Sequence, residues 1–249
     1  MPEQREAPTV ECGAQRPKRT AADGAVQARR WTWEWTKSIV LVVGLTVVLQ
    51  AFLVEAFRIP TGSMEPTLLV GDFLLVNKAI YGVGVPFTSL RTPPIVEPRR
   101  GDIIVFAPPH EPAQSYVKRL VGAPGDTISM RARNLFVNGR RQSEPYALHS
   151  DPHDVRAPSM DWSCQHAVSA STCRPSRDSW GPLVVPEGKY LVLGDNRDDS
   201  EDSRYWGFVE RNAIKGRPIA VYYSFDPDAS GRLPWATAVR WARLGTALR

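Results

Sequence analysis

Seventeen consecutive residues without a charge, Ser38–Val54 (SIVLVVGLTVVLQAFLV), constrain this chain more than any other stretch. A helix rises 1.5 Å per residue, so they span ~26 Å, and flanking residues extend that to the ~30 Å of a bilayer's hydrocarbon core. Thr46 and Gln50 are tolerable there because a helix satisfies its own backbone. Trp31, Trp33 and Trp35 precede the run with Arg29, Arg30 and Lys37, whereas the next basic residues after it are Arg58 and Lys78. That asymmetry places the N-terminus in the cytoplasm and everything after Phe57 on the far side. A buried core helix would look similar, but no other charge-free run here is as long. A cleaved secretory leader is the sharper rival, since Val54-Glu55-Ala56 puts small side chains three residues and one residue before a possible cut. The run exceeds the usual leader core of about 7–15 residues and follows a long charged tail, so a retained anchor is the expectation.

With 43% hydrophobic residues in 249, the chain can bury a core, and a disordered protein is excluded. A net charge of +5, thinly spread and without an aromatic-basic stripe, gives no sign of a nucleic-acid partner. The 22 prolines and 18 glycines cut the chain into short pieces, which favours strands and turns. DFLLVNK, GDIIVFAPP, YVKRLVG, DTISM, NLFVNGRRQ, KYLVLGD and RPIAVYYSF each read as a strand bounded by turn formers. Asn138-Gly139 marks a type I′ hairpin. The expected layout is a cytoplasmic tail over 1–37, an anchor over 38–57, a β domain over 58–142 and 183–249, and a loop-rich insertion over 143–182. The last residues, LPWATAVRWARLGTALR, read as a short, mildly basic amphipathic helix.

Cys164 and Cys173 fall on the far side of the membrane, where disulfides persist. Pairing them would close a loop of about ten residues, worth ~2.7 kcal/mol if unstrained. Three unpaired thiols is the alternative, because sequence gives no distance. His149 and His153 have a spacing that zinc tolerates, but no Cys-x-x-Cys accompanies them, and neither metal nor cofactor is expected.

FRIPTGSMEPTLLVGDFLLVNK, from Phe57 to Lys78, sets Ser63 in a turn between Pro60 and Pro66. A spacer needs no such punctuation; a nucleophile does. A serine hydroxyl attacks only when a base takes its proton. His110, His149, His153 and His166 all lie in polar loops with no orienting motif, which disfavours a serine-histidine arrangement. A neutral lysine is the other attested base, and Lys118 lies on a strand-like run among Tyr116, Val117, Leu120 and Val121. Taken alone, that run is better read as a surface strand whose lysine reaches water past apolar neighbours.

Three motifs in series behind an anchor change the balance: IPTGSMEPTLLVGDFLLVNK, YVKRLVGAPGDTI and GDNRDDSEDSRYWGFV. Together they resemble the bacterial type I signal peptidases over most of Lys37 to Ser224, more weakly across Ser143–Pro182. The resemblance implies a mainly β fold, with an antiparallel β-barrel-like catalytic domain and a loop-rich insertion behind one transmembrane helix. It implies Ser63 as nucleophile and Lys118 as general base, with the Ser63 N–H and the Thr61 hydroxyl as oxyanion donors. Ser200 matches the serine that orients the lysine, and Asp202 and Arg204 match a structural ion pair. Phe57, Ile59, Pro60, Met64 and Val117 fall where the family lines shallow pockets for small side chains. Asp72 and Lys78 read as structural. The implied enzyme sits in the bacterial cytoplasmic membrane with its catalytic domain outside. It cuts preprotein signal peptides after small residues, with the lipid bilayer and the secretion translocon as surroundings. A specialised relative with one dedicated substrate is the alternative, and an inactive β-barrel that binds secretion machinery a remoter one.

Overall fold

The computed structural model describes residues 31, 33–46, 54–82, 92–166, 174–230 and 233–248. Contacts divide the chain into two units, 1–47 and 48–249. In the first, residues 33–46 form helix α1, and its described side chains are all exposed, including Ile39, Leu41 and Leu45. Among the described residues no helix is long and apolar enough to cross a membrane. Of the expected anchor over 38–57, residues 38–46 are helical, residues 47–53 lie outside the described set, and Val54–Phe57 belong to a strand. That strand, β1 (Val54–Arg58), pairs antiparallel with β2 (Asp72–Asn77). Glu55 makes this natural, because across the pair its carboxylate reaches Lys78 at 3.3 Å.

The second unit is built on two antiparallel sheets. The larger has the order β1, β2, β11 (Ile214–Ser224), β3 (Ile103–Phe106), β4 (Tyr116–Gly122), β9 (Lys189–Leu193) and β10 (Val209–Glu210). Strand β11 is the spine. Its later residues pair with β2, while Ile214 and Gly216 pair with β3, and register shifts along it let the sheet curl. The smaller sheet orders β7 (Arg140–Arg141), β6 (Asn134–Val137), β5 (Thr127–Arg131) and β8 (Trp180–Val184). Asn138 and Gly139 turn β6 into β7, both with positive φ (51° and 76°), as a type I′ turn requires. Residues 180–182, read from sequence as the end of the insertion, open strand β8, where Trp180 pairs with Met130 of β5.

Alternation along β3 explains how the core is divided. Ile103 and Val105 pack with Ile59, Met64, Leu74 and Val117, whereas Ile104 and Phe106 face Leu120, Val192 and Ile214. Both faces of the strand are covered, so β3 reads as an apolar run without a period of two. The C-terminal segment is not the helix expected from its sequence. A one-turn helix (Pro234–Thr237) and a 3-10 turn (Trp241–Arg243) flank Val239, and Val239 and Ala247 bridge back to Phe225 and Ala220. Backbone pairing at the sheet margin prevails over the amphipathic pattern there.

Candidate active site

Ser63 sits in a single 3-10 turn, Gly62–Met64, just after β1. Met64 points into the core and is 1% exposed, so the turn is pinned from below while the serine stays accessible. A second segment holds the turn from above. The Asn196 N–H donates to the Ser63 carbonyl (3.2 Å), and the Asn196 side-chain amide donates to the Gly62 carbonyl (3.2 Å). Gly194 permits that approach, because a Cβ there would lie 2.5 Å from the Ser63 carbonyl oxygen and 2.1 Å from Ser200 Oγ. Between them, Asp195 is buried and accepts from Thr67 (2.6 Å) and from Arg119 Nε (2.8 Å) and Nη2 (2.7 Å).

Strand β4 delivers Lys118 opposite Ile104 of β3, with Val117 facing the other core. Lys118 is 3% exposed, and its Nζ lies 2.6 Å from Ser63 Oγ. Burial among apolar neighbours pushes the ammonium down to about 8, more than offsetting the Asp202 carboxylate, which acts to raise it. The result is an amine that is neutral in an appreciable fraction near neutrality.

Ser200 departs from its expected bond: its hydroxyl donates to Asp202 (2.8 Å) instead of meeting the lysine. Asp202 also accepts from Arg204 Nε (2.8 Å) and from the Gly194 N–H (3.0 Å). Burial alone would raise the Asp202 carboxyl, but the Arg204 guanidinium beside it holds it below the usual range. Ser200 thus bears on Lys118 through a carboxylate that also anchors helix α2 (Ser203–Trp206) at its N-cap. Thr61 Oγ1 lies 3.5 Å from Ser63 Oγ on the exposed side of the turn. Phe57, Ile59, Pro60, Met64 and Val117 all line one cavity of about 770 Å³ with Ser63, Lys118 and Ser200.

Sequence reasoning missed the brace beneath this site. Leu148 donates its N–H to the Asp195 carbonyl (2.7 Å) and accepts from the Arg197 N–H (2.9 Å). Glu144 receives Arg197 Nη1 at 3.0 Å, and the Arg119 guanidinium lies 3.9 Å over the Tyr146 ring. The start of the expected insertion therefore backs the catalytic loop and is not remote from it. Asp72 is buried and bound by Arg243 Nε (3.0 Å), in keeping with a structural role. Cys164 is disulfide-bonded, and Cys173 lies outside the described residues. Among the described residues, His149, Asp178 and Asp198 bring ligand-type atoms within 4.8 Å of one another. Arg177 stands 3.2 Å from Asp198 and Arg133 2.8 Å from Asp178, so both carboxylates already face cations and suit a metal ion poorly.

A serine hydroxyl against a buried, readily neutral lysine, on a curled antiparallel sheet, can carry out acyl transfer with serine as nucleophile. The family model described as "Signal peptidase, peptidase S26" matches residues 32–223. Signal peptidase I of Pseudomonas aeruginosa is 38% identical over 216 residues, 81% of this chain and 76% of the relative. Signal peptidase I of Bacillus licheniformis is 35% identical over 195 residues, 78% of this chain and 90% of the relative. A solved signal peptidase I from Enterococcus faecalis V583 is 35% identical and superposes with a TM-score of 0.35, covering 49% of this chain and 97% of its own. The chain belongs to the signal peptidase family, peptidase S26.

Proposed function

We propose that this protein is a membrane-anchored serine endopeptidase that removes signal peptides from exported preproteins, with Ser63 and Lys118 as its catalytic pair. The observation that carries the reading is the 2.6 Å approach of a nearly fully buried lysine to an accessible serine. Lys118 Nζ, neutral, takes the Ser63 hydroxyl proton as Oγ bonds to the scissile carbonyl carbon. The oxygen becomes an oxyanion, to which the Ser63 N–H and the Thr61 hydroxyl donate. Collapse breaks the carbon–nitrogen bond, and the leaving amine takes the proton from Lys118. Water then attacks the acyl-serine by the same route, with Lys118 again as base.

Asp202, bonded by Ser200 and Arg204, fixes the field around Lys118. Phe57, Ile59, Pro60, Met64 and Val117 form the walls that admit small side chains, and an extended substrate adds as a strand. Residues 38–53 and the exposed apolar side chains of α1 suit a lipid-embedded anchor, with the N-terminus in the cytoplasm of a bacterium and residues 58–249 outside. The secretion translocon is the fitting neighbour, and Cys173 is the fitting partner for Cys164.

Incubating the purified protein with a generic preprotein, wild type beside Ser63→Ala, tests the activity. One defined cut by the wild type alone is expected, and equal cutting by both sinks the reading. Protease added to spheroplasts should digest the catalytic domain; full protection would refute the topology.

A further inference from the structure

The cavity continues past the catalytic pair into a part that the reaction above leaves unused. Lys118 and Tyr116 share one face of β4, about 6.6 Å apart along the strand. The Tyr116 ring lies 5.9 Å from Lys118 Nζ. His110 stands edge-on to Tyr116 (centroids 5.7 Å) and lies 5.7 Å from Trp206. The Glu201 carboxylate reaches His110 Nε2 at 3.8 Å from the cavity's rim and is 64% exposed. Asp199 lines the same rim. Neither acid is in an ion pair with a lysine or arginine among the described residues, whereas neighbouring Asp202 is fully engaged by Arg204.

Which part of a substrate would lie here follows from the proton's route. The proton that Lys118 removes from Ser63 must reach the leaving nitrogen, so the segment after the scissile bond departs on the lysine's side. Ile59 and Met64, wall residues on the segment that carries Ser63, go with the part of the substrate before the cut. Resting on the protease reading above, we propose that Tyr116, His110, Trp206 and Glu201, with Asp199, form a leaving-side subsite that favours a cationic side chain just after the cut. Aromatic faces and carboxylates together attract lysine or arginine and repel glutamate or aspartate. The same carboxylates offset the repulsion that a substrate cation would meet once Lys118 carries its proton, and both act on Lys118 in that direction.

The test uses the full chain in detergent and three otherwise identical preproteins with Lys, Gln or Glu as the first residue after the cut. Wild type should rank them Lys, Gln, Glu in kcat/KM, with about 3- to 10-fold between the extremes. Raising salt should compress that ratio. Asp199→Asn combined with Glu201→Gln should bring the ratio within that double variant to about one. Glu210→Gln, an exposed acid outside this cavity, should retain it. Equal rates on the three substrates, or an unchanged ratio in the double variant, overturn the inference while leaving the protease reading intact. Failure of wild type to cut even the Gln substrate refutes both.

Discussion

The Asn196 N–H donates to the Ser63 carbonyl across 3.2 Å, joining the nucleophile's turn to a segment more than 130 residues later in the chain. The serine is therefore aimed from two directions, by Met64 in the core and by the Gly194–Asn196 loop over its backbone. Neither support bonds Ser63 Oγ, so their part in the reaction is to position the hydroxyl, with the Gly194 N–H also holding the Asp202 carboxylate that faces Lys118.

Gly194→Ala tests the upper support. An added Cβ at 2.5 Å from a backbone oxygen and 2.1 Å from Ser200 Oγ cannot be absorbed by one flexible side chain, so the loop must move. Moving it displaces Ser63 relative to Lys118, and a misplacement of about 1 Å costs on the order of 10²-fold in rate. The expected outcome is a fall of that order in kcat with a folded protein by circular dichroism. Activity within threefold of wild type would show that the loop does not position the serine.

Asp202→Asn isolates the buried ion pair. Arg204 is 3% exposed and loses its carboxylate partner, a situation that costs about 3–5 kcal/mol in comparable buried pairs. The Asp202 carboxyl is held low in the folded state, so its contribution is present above the unfolded value of about 3.9 and fades as pH falls through the lower folded value. Denaturant melts of wild type and variant should accordingly differ at pH 7 and converge toward strongly acid pH. A constant gap across that range would remove this account.

The seven segments read as strands all contain strands, because their turn formers and apolar cores coincide. The elements that escaped were short or disguised. Strand β10 is two residues, β8 holds a proline and a glycine, and β1 continues an apolar run that hid its change of conformation. At the site, the Ser63–Lys118 pair was legible only through the family resemblance that the three motifs carry, since the lysine's own strand read as a surface strand; all five proposed wall residues line the cavity. The Ser200 bond was misjudged because a hydroxyl between a lysine and a carboxylate has two partners to choose from, and the fully buried Asp202 offers the stronger acceptor. The Glu144–Tyr146–Leu148 brace was invisible because buried charge pairs leave no periodic trace.

Lys118 makes the folded protein bind fewer protons than the unfolded chain between about 8 and about 10.4. In that window stability contributed by this group rises with pH, whereas below about 8 the buried ammonium remains a cost. Lys118→Met keeps the apolar length and removes the charge. It should stabilise the protein at pH 7 by roughly 2–3 kcal/mol and abolish that part of the alkaline rise. Urea melts at pH 7 and pH 9.5 measure both; an unstable Lys118→Met would mean that its ammonium is well solvated or paired.

The same titration sets the rate. A solvated lysine, near 10.4, is neutral in about one molecule in 2,500 at pH 7, whereas one held at about 8 is neutral in roughly a tenth. With the neutral amine as base, kcat/KM should rise nearly tenfold per pH unit below 8, reach half its plateau at about 8, and level above it. Arginine cannot lose its proton in this range. Lys118→Arg, although it keeps the charge, should therefore fall by about 10³-fold or more, as should Ser63→Ala. His110 lines the cavity but makes no bond to Ser63, and His149, His153 and His166 lie outside it, so replacing all four histidines should leave one defined cut at the same bond. A profile centred near 6.5, or abolition of the cut by loss of one histidine, would assign the proton transfer to an imidazole instead of Lys118.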